Sequence, residues 1–367
     1  MSLTKRILIG LTILLLVVIG AAAWMFRSRA EAIPDQLAPI DTAEADPGKV
    51  VIPGTGGLPD LVLADLRGKT VYLLVGDRES MQAKESKLFD RALNRWIIPD
   101  DVVGYGIADT EGFQLLAGKI EEFIGAMRPE LRHPLYLDFE GAITRAFKLP
   151  KGHAGVVVLG PGGEILMRHS GPPPEGPEGD KVIEQLRTHL KAQEPTLAPA
   201  PAFKLGALDN AACRGKVCIF VFLARPVKKT DLPGVKDGFD GDTDAMWKQL
   251  QDPSVRLASL VHDSDAKLVA ADEKAAKAAK PDEPGATPPR VEAVLVGALA
   301  DVELKRWTTV AAAPEARAAL QIPEDQAGVV VIDADGNLAV REIGVVRMYK
   351  FTRISELLGV DLSDRRE

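Results

Sequence analysis

At 367 residues the chain exceeds one ordinary domain and suits two of about 150 residues plus appendages. Its net charge of −7, without a basic block, excludes a nucleic-acid backbone as partner. A hydrophobic fraction of 46% excludes wholesale disorder, and two cysteines and five histidines are too few for zinc ribbons, multihaem sites or a disulfide scaffold.

Ile7 to Phe26 form an uncharged run of 20 residues, preceded by Lys5 and Arg6. At about 1.5 Å per residue a helix of that length crosses a hydrocarbon core of roughly 30 Å. Two readings stand: an uncleaved anchor, or a signal peptide cut near Ala21-Ala22-Ala23 and secretion. Continuation of the apolar run through Trp24, Met25 and Phe26 favours the anchor. The expectation is a single-pass protein of the cytoplasmic membrane with its domains on the outer, periplasmic side.

The expected organisation is an anchor over 1–29, a flexible tether over 30–57, a first domain over 58–191, a Pro/Ala linker over 192–202 and a second domain over 203–362. The second domain carries a low-complexity insertion at about 264–290, containing the Ala/Lys and Pro-rich run Asp272 to Pro289. The two domains are internal repeats. Residues 145–171 align without a gap on 318–344, with ten of 27 positions identical, including Pro150/Pro323, the Ala-Gly-Val-Val-Val run and Gly171/Gly344. Upstream, DLRGKTVYLLV from Asp65 faces ACRGKVCIFVF from Ala212.

Within the first repeat Thr70 to Val75 reads as a strand buried on both faces. A helix follows through Met81, Leu88, Ala92, Leu93 and Trp96, then a strand over Val102 to Ala108 and a second helix through Phe113, Leu116, Ile120, Phe123 and Met127. Val156 to Leu159 and Ile165 to Arg168 form a hairpin, and Val182, Ile183, Leu186 and Leu190 mark a closing helix. The predicted order is β-α-β-α-β-β-α.

That order, with a Gly-Lys turn into the first core strand, resembles the thioredoxin fold, and most of all the membrane-anchored thioredoxin-like and peroxiredoxin-like (redoxin) proteins of bacterial envelopes. The resemblance implies an α/β chain of two tandem thioredoxin-like domains, each a central mixed sheet flanked by helices. It also implies a Cys-x-x-Cys pair about twelve residues after the turn glycine, at a helix N-terminus that lowers the thiol pKa. Here that count lands on Ser80-Met81-Gln82-Ala83 and on Val227-Lys228-Lys229-Thr230. A cis-proline expected just before the third core strand is replaced by Ala154 and by Ala327. Ser80, Ala83, Ala154, Val227, Thr230 and Ala327 are therefore degenerate active-site positions, and without sulfur they cannot carry thiol-disulfide exchange.

Cys213 and Cys218 flank the turn of the second repeat, with Cys213 the more exposed. Three readings stay open: two separate structural thiols, a small disulfide or redox pair, or a thiolate pair that holds copper with a histidine such as His262. Asp240, Asp242 and Asp244 begin like a calcium loop, but Ala245 and Gln251 break it. Gly68-Lys69-Thr70 lacks the leading glycine of a phosphate loop, Leu63 standing in that place, so no nucleotide is expected. No histidine falls in a known catalytic motif.

The expectation is a membrane-anchored, redox-inactive tandem thioredoxin-like protein that binds a protein or peptide partner, without cofactor, catalytic residue or metal. The alternatives are a divergent thiol-disulfide oxidoreductase or peroxidase using Cys213 and Cys218, and delivery of copper or another metal.

Overall fold

The computed structural model describes residues 37, 47–77, 80, 87–171, 173, 176–233, 243–278, 290–360 and 362. The apolar run 7–26, Ala83, Asp240 and Asp242 lie outside the described residues. Among the described residues no helix is long and apolar enough to cross a membrane.

The first half of the chain runs β1 (Val51–Ile52), β2 (Leu61–Val62), β3 (Thr70–Gly76), α1 (Lys87–Arg95), β4 (Val102–Asp109), α2 (Ala117–Met127), β5 (Leu135–Asp138), α3 (Ala142–Ala146), β6 (Gly155–Leu159), β7 (Ile165–Ser170) and α4 (Pro177–His189). The second half runs β8 (Lys204–Leu205), β9 (Leu208–Asp209), α5 (Asn210–Cys213), β10 (Lys216–Phe222), β11 (Val227–Lys228), α6 (Thr243–Gln249), α7 (Pro253–Ala278), β12 (Arg290–Val296), β13 (Leu299–Ala300), β14 (Trp307–Val310), α8 (Pro314–Ala319), β15 (Gly328–Ile332), β16 (Leu338–Ile343) and α9 (Met348–Leu358).

The chain divides into two compact units that do not follow chain order. Among the described residues, unit 1 takes those up to Leu88 with Asp100–Leu115 and Tyr136–Leu190; unit 2 takes Phe89–Pro99, Leu116–Leu135 and those from Lys191 onward. In unit 1 the sheet order is β5-β4-β3-β6-β7. The central β3 pairs parallel with β4 and antiparallel with β6, and β6 pairs antiparallel with β7. All seven residues of β3 are buried, as a strand covered on both faces requires. Gly104, opposite Tyr72, leaves room for the ring: a Cβ there would come within 2.2 Å of it.

Unit 2 repeats the plan in the order β14-β12-β10-β15-β16, with β10 central, parallel to β12 and antiparallel to β15. Along β10 the period of two sorts side chains onto two cores. Val217, Ile219 and Val221 join Leu257, Val261 and Ile354 on one face, while Cys218, Phe220 and Phe222 join Phe203, Leu320 and Val330 on the other.

The duplication extends to single hydrogen bonds. The Gly68 N–H donates to the Pro161 carbonyl at 2.8 Å, as the Gly215 N–H does to that of Ala334. The Leu149 N–H donates to the Thr144 carbonyl at 2.9 Å, as the Ile322 N–H does to that of Arg317 at 2.8 Å. Lys148 and Gln321, each just past a short helix, share the left-handed conformation at φ 45° and 57°.

Three expectations change. The first half contains an additional strand and helix, β5 and α3, between the second predicted helix and the hairpin. A four-residue strand is too short to show a period of two. The insertion placed at 264–290 begins later, because α7 is continuous from Pro253 to Ala278 and packs Ser264, Asp265 and Leu268 out of solvent. Asp265 accepts the N–H groups of Lys305 and Arg306, which ties the helix to the loop before β14. Cys213, expected to be the more exposed cysteine, is buried as completely as Cys218, because α5 lays it against the β10 face.

Candidate functional site: the groove at the end of the central strand

In a parallel α/β arrangement the working site lies beyond the carboxyl ends of the central strands. In unit 1 that position begins at Asp77, directly after β3. Asp77 and Ser80 close on each other: the Asp77 N–H donates to Ser80 Oγ at 3.0 Å, the Ser80 N–H donates to Asp77 Oδ1 at 2.7 Å, and the Ser80 hydroxyl donates to the Asp77 carbonyl at 3.2 Å. Ser80 is buried. Its hydroxyl, engaged as donor and acceptor, caps the chain and is not poised as a nucleophile. Ala154 is buried just before β6, its carbonyl accepting the Gly171 N–H at 2.7 Å.

In unit 2, Ala327 holds the matching place before β15, and its carbonyl accepts the Gly344 N–H at 2.8 Å. Among the described residues no peptide bond is cis. Ala327 and Gly344 line an open cavity of about 500 Å³ together with Ala224, Arg225, Asp252, Pro253, Ser254, Asp325 and Gln326. Val227 and Thr230, expected here from spacing, are not in its lining. Val227 is buried in β11, paired with β13, and Thr230 is exposed in the single turn Lys229–Asp231. Their place is taken by the first residues of α7. An insertion separates strand from helix, so that Asp252 stands 30 positions after Phe222, whereas Asp77 directly follows β3.

Asp252 caps α7. Its Oδ1 accepts the N–H groups of Ser254 at 2.8 Å and Val255 at 3.2 Å, and its carbonyl accepts that of Arg256 at 3.0 Å. Arg225 donates to Asp252 Oδ2 from Nε at 3.0 Å and Nη2 at 2.7 Å. Burial alone would raise the Asp252 pKa, but the Arg225 hydrogen bond and charge and the Val255 and Ser254 N–H groups outweigh it and hold the carboxyl below its usual range. The helix terminus that would favour a thiolate in a redox enzyme already serves a carboxylate of the chain itself.

Arg317 supports the loop that carries Asp325 and Gln326 without itself lining the cavity. Buried over the Phe222 ring at 5.2 Å, it donates from Nη1 to the carbonyls of Pro323 at 2.8 Å and Gln326 at 2.9 Å, and from Nη2 to that of Leu223 at 2.6 Å. Burial lowers its pKa, opposed by the charge of Glu324. These bonds fix the 323–326 loop against the end of β10.

Cys213 and Cys218 are joined by a disulfide, and both are fully buried. Ala224 lies six residues beyond Cys218, which at about 3.3 Å per residue puts the sulfurs ~20 Å from the groove. The structure therefore brings Ala327 into the groove, keeps Ser80 and Ala154 at the corresponding end of unit 1, and leaves Val227, Thr230 and both cysteines elsewhere. Asp252, Ser254, Arg225, Asp325 and Arg317 were missed. Asp252-Pro253 ahead of an apolar run was a readable helix start, with a capping residue and proline at the first helical position.

No protein-family model matches the sequence, and no curated protein matches it. Solved structures with similar parts include DsbF of MTB, at 14% identity and TM-score 0.28 over 39% of this chain and 96% of that one. A second is the Xanthomonas campestris bacterioferritin comigratory protein, at 15% identity and TM-score 0.30 over 43% of this chain and 99% of that one. A third is a secreted Mycobacterium tuberculosis disulfide oxidoreductase homologous to E. coli DsbE, at 15% identity and TM-score 0.26 over 39% and 98%. What defines the class is the chain's own topology: in each unit, a parallel neighbour on one side of the central strand and an antiparallel hairpin on the other. Both units have the thioredoxin-like fold, as the sequence resemblance implied.

Proposed function

We propose that the chain is a redox-inactive, tandem thioredoxin-like protein of the bacterial cell envelope that binds a polypeptide partner through the groove at the end of β10. The carrying observation is that this groove contains Ala327 and the carboxylate-capped start of α7 where sulfur and cis-proline would stand, while both cysteines form a buried disulfide remote from it. A cavity beside exposed backbone can hold an extended chain without chemistry. The apolar run 7–26 would anchor the protein, and a disulfide suits a compartment outside the cytoplasm. The rival reading, an oxidoreductase or peroxidase acting through Cys213, requires a thiol that a substrate can reach. Copper delivery by the same pair would require two free thiolates.

The test uses the purified full-length chain. Insulin-disulfide reduction and peroxide turnover are expected at background and unchanged in Cys213→Ser. Binding of a reduced, carbamidomethylated polypeptide, which can neither refold nor exchange disulfides, is expected and is lost in Gln326→Trp, a substitution at an exposed lining position that fills the cavity. Turnover that depends on Cys213 would overturn the reading.

A further inference from the structure

The charges around the unit 2 cavity are not balanced. The lining cation, Arg225, and the buried Arg317 behind the loop are both engaged by the chain. Arg225 is held by Asp252, by the Pro226 carbonyl at 3.0 Å and by Asp231 at 3.8 Å. Arg317 is buried with its guanidinium on three carbonyls. Asp325, by contrast, is exposed on the rim, has no ion-pair partner among the described residues, and follows a second exposed acid, Glu324. The duplicate loop shows that these carboxylates are not demanded by the hairpin. Lys151 and Gly152 occupy the matching positions in the first half, where Lys151 pairs with Glu111 at 2.5 Å. Otherwise the two loops keep the same backbone bonds into Ala154 and Ala327. The charge of this loop has thus been reversed between two copies of one scaffold.

We propose that the cavity at the end of β10 selects a cationic side chain, lysine or arginine, on an extended polypeptide, with Asp325 as the carboxylate that recognises it. This deepens the polypeptide-binding reading above and rests on it. The apolar part of the lining, Ala224, Pro253 and Ala327, receives the methylene stem, and the charged head stops at the rim. A volume of about 500 Å³ falls within the range of ligand pockets.

The experiment measures binding of two fluorescein-labelled short peptides to the full-length chain by anisotropy at physiological ionic strength. One alternates alanine with lysine, the other alanine with glutamate. The lysine peptide is expected to bind more tightly, Asp325→Asn to weaken it about fivefold, the size of one exposed ion pair, and Asp325→Lys to reverse the preference. Asp335→Asn removes the same charge at the far turn of the β15–β16 hairpin and is expected to change nothing, which separates the local carboxylate from the net charge of −7. Equal binding of both peptides, or an equal effect of Asp335→Asn, overturns the cation preference and leaves polypeptide binding standing. If neither peptide binds and the carbamidomethylated polypeptide also fails, both readings fall.

Discussion

Single side chains decide what the end of each central strand can do. Ser80 and Asp77 hydrogen-bond each other, and Asp252 caps the first turn of α7. His133 shows how a residue outside the groove sets a condition for folding. Burial, helped by the neighbouring Arg132, pushes its pKa down to about 4 from 6.5. A histidine depressed in the folded state contributes stability that is complete above the unfolded value and lost as pH falls through the folded one. Between pH 6.5 and about 4 the protein is therefore expected to lose on the order of 3 kcal/mol from this group, at about 1.4 kcal/mol per pKa unit. Denaturant midpoints measured across that window for the native chain and for His133→Gln check this. The variant should show the shallower dependence, and parallel curves would refute it.

At the scale of elements, the cap on α7 ties the first turn of the helix to Arg225 beyond the end of β10. Asp252→Ala is expected to cost about 1 kcal/mol, the usual size of a lost N-cap, and to leave Arg225 with the Pro226 carbonyl and Asp231. Urea unfolding measures the loss, and an unchanged midpoint would mean that water replaces the cap. The sheet strands were readable in the sequence because β3, β6, β10 and β15 are continuous apolar runs, and the repeated Ala-Gly-Val-Val-Val run aligned the halves. Ala154 and Ala327, just ahead of β6 and β15, could be placed by the same alignment. The groove of unit 2 could not be placed by counting, because spacing survives only where no segment is inserted, and here an insertion lies between strand and helix. Arg317 was hidden for a different reason: its counterpart is Thr144, so the repeat gave no hint of a guanidinium under the loop. The cysteine pairing was also open, since burial of Cys213 depends on where α5 turns.

For the whole molecule the decisive fact is that chain order and compact units disagree. Unit 2 includes Phe89–Pro99 and Leu116–Leu135. Glu130, 2% exposed, meets Arg256, 1% exposed, at 2.8 and 3.0 Å, and its Oε2 accepts the Met348 N–H at 3.1 Å. Glu130→Gln leaves a buried guanidinium without its counter-charge and is expected to destabilise by about 3–5 kcal/mol, whereas replacing both partners by methionine should cost far less. Thermal melts of the single and double variants test this, and equal losses would refute it. Arg256 lies 126 residues beyond Glu130. At a synthesis rate of about 5–20 residues per second, the first of the pair waits roughly 6–25 s for its counterpart to be made. During that interval α2, carrying Ile120, Phe123 and Met127, has no finished body to join, so its apolar residues wait uncovered on the nascent chain until the second half of the sequence has emerged.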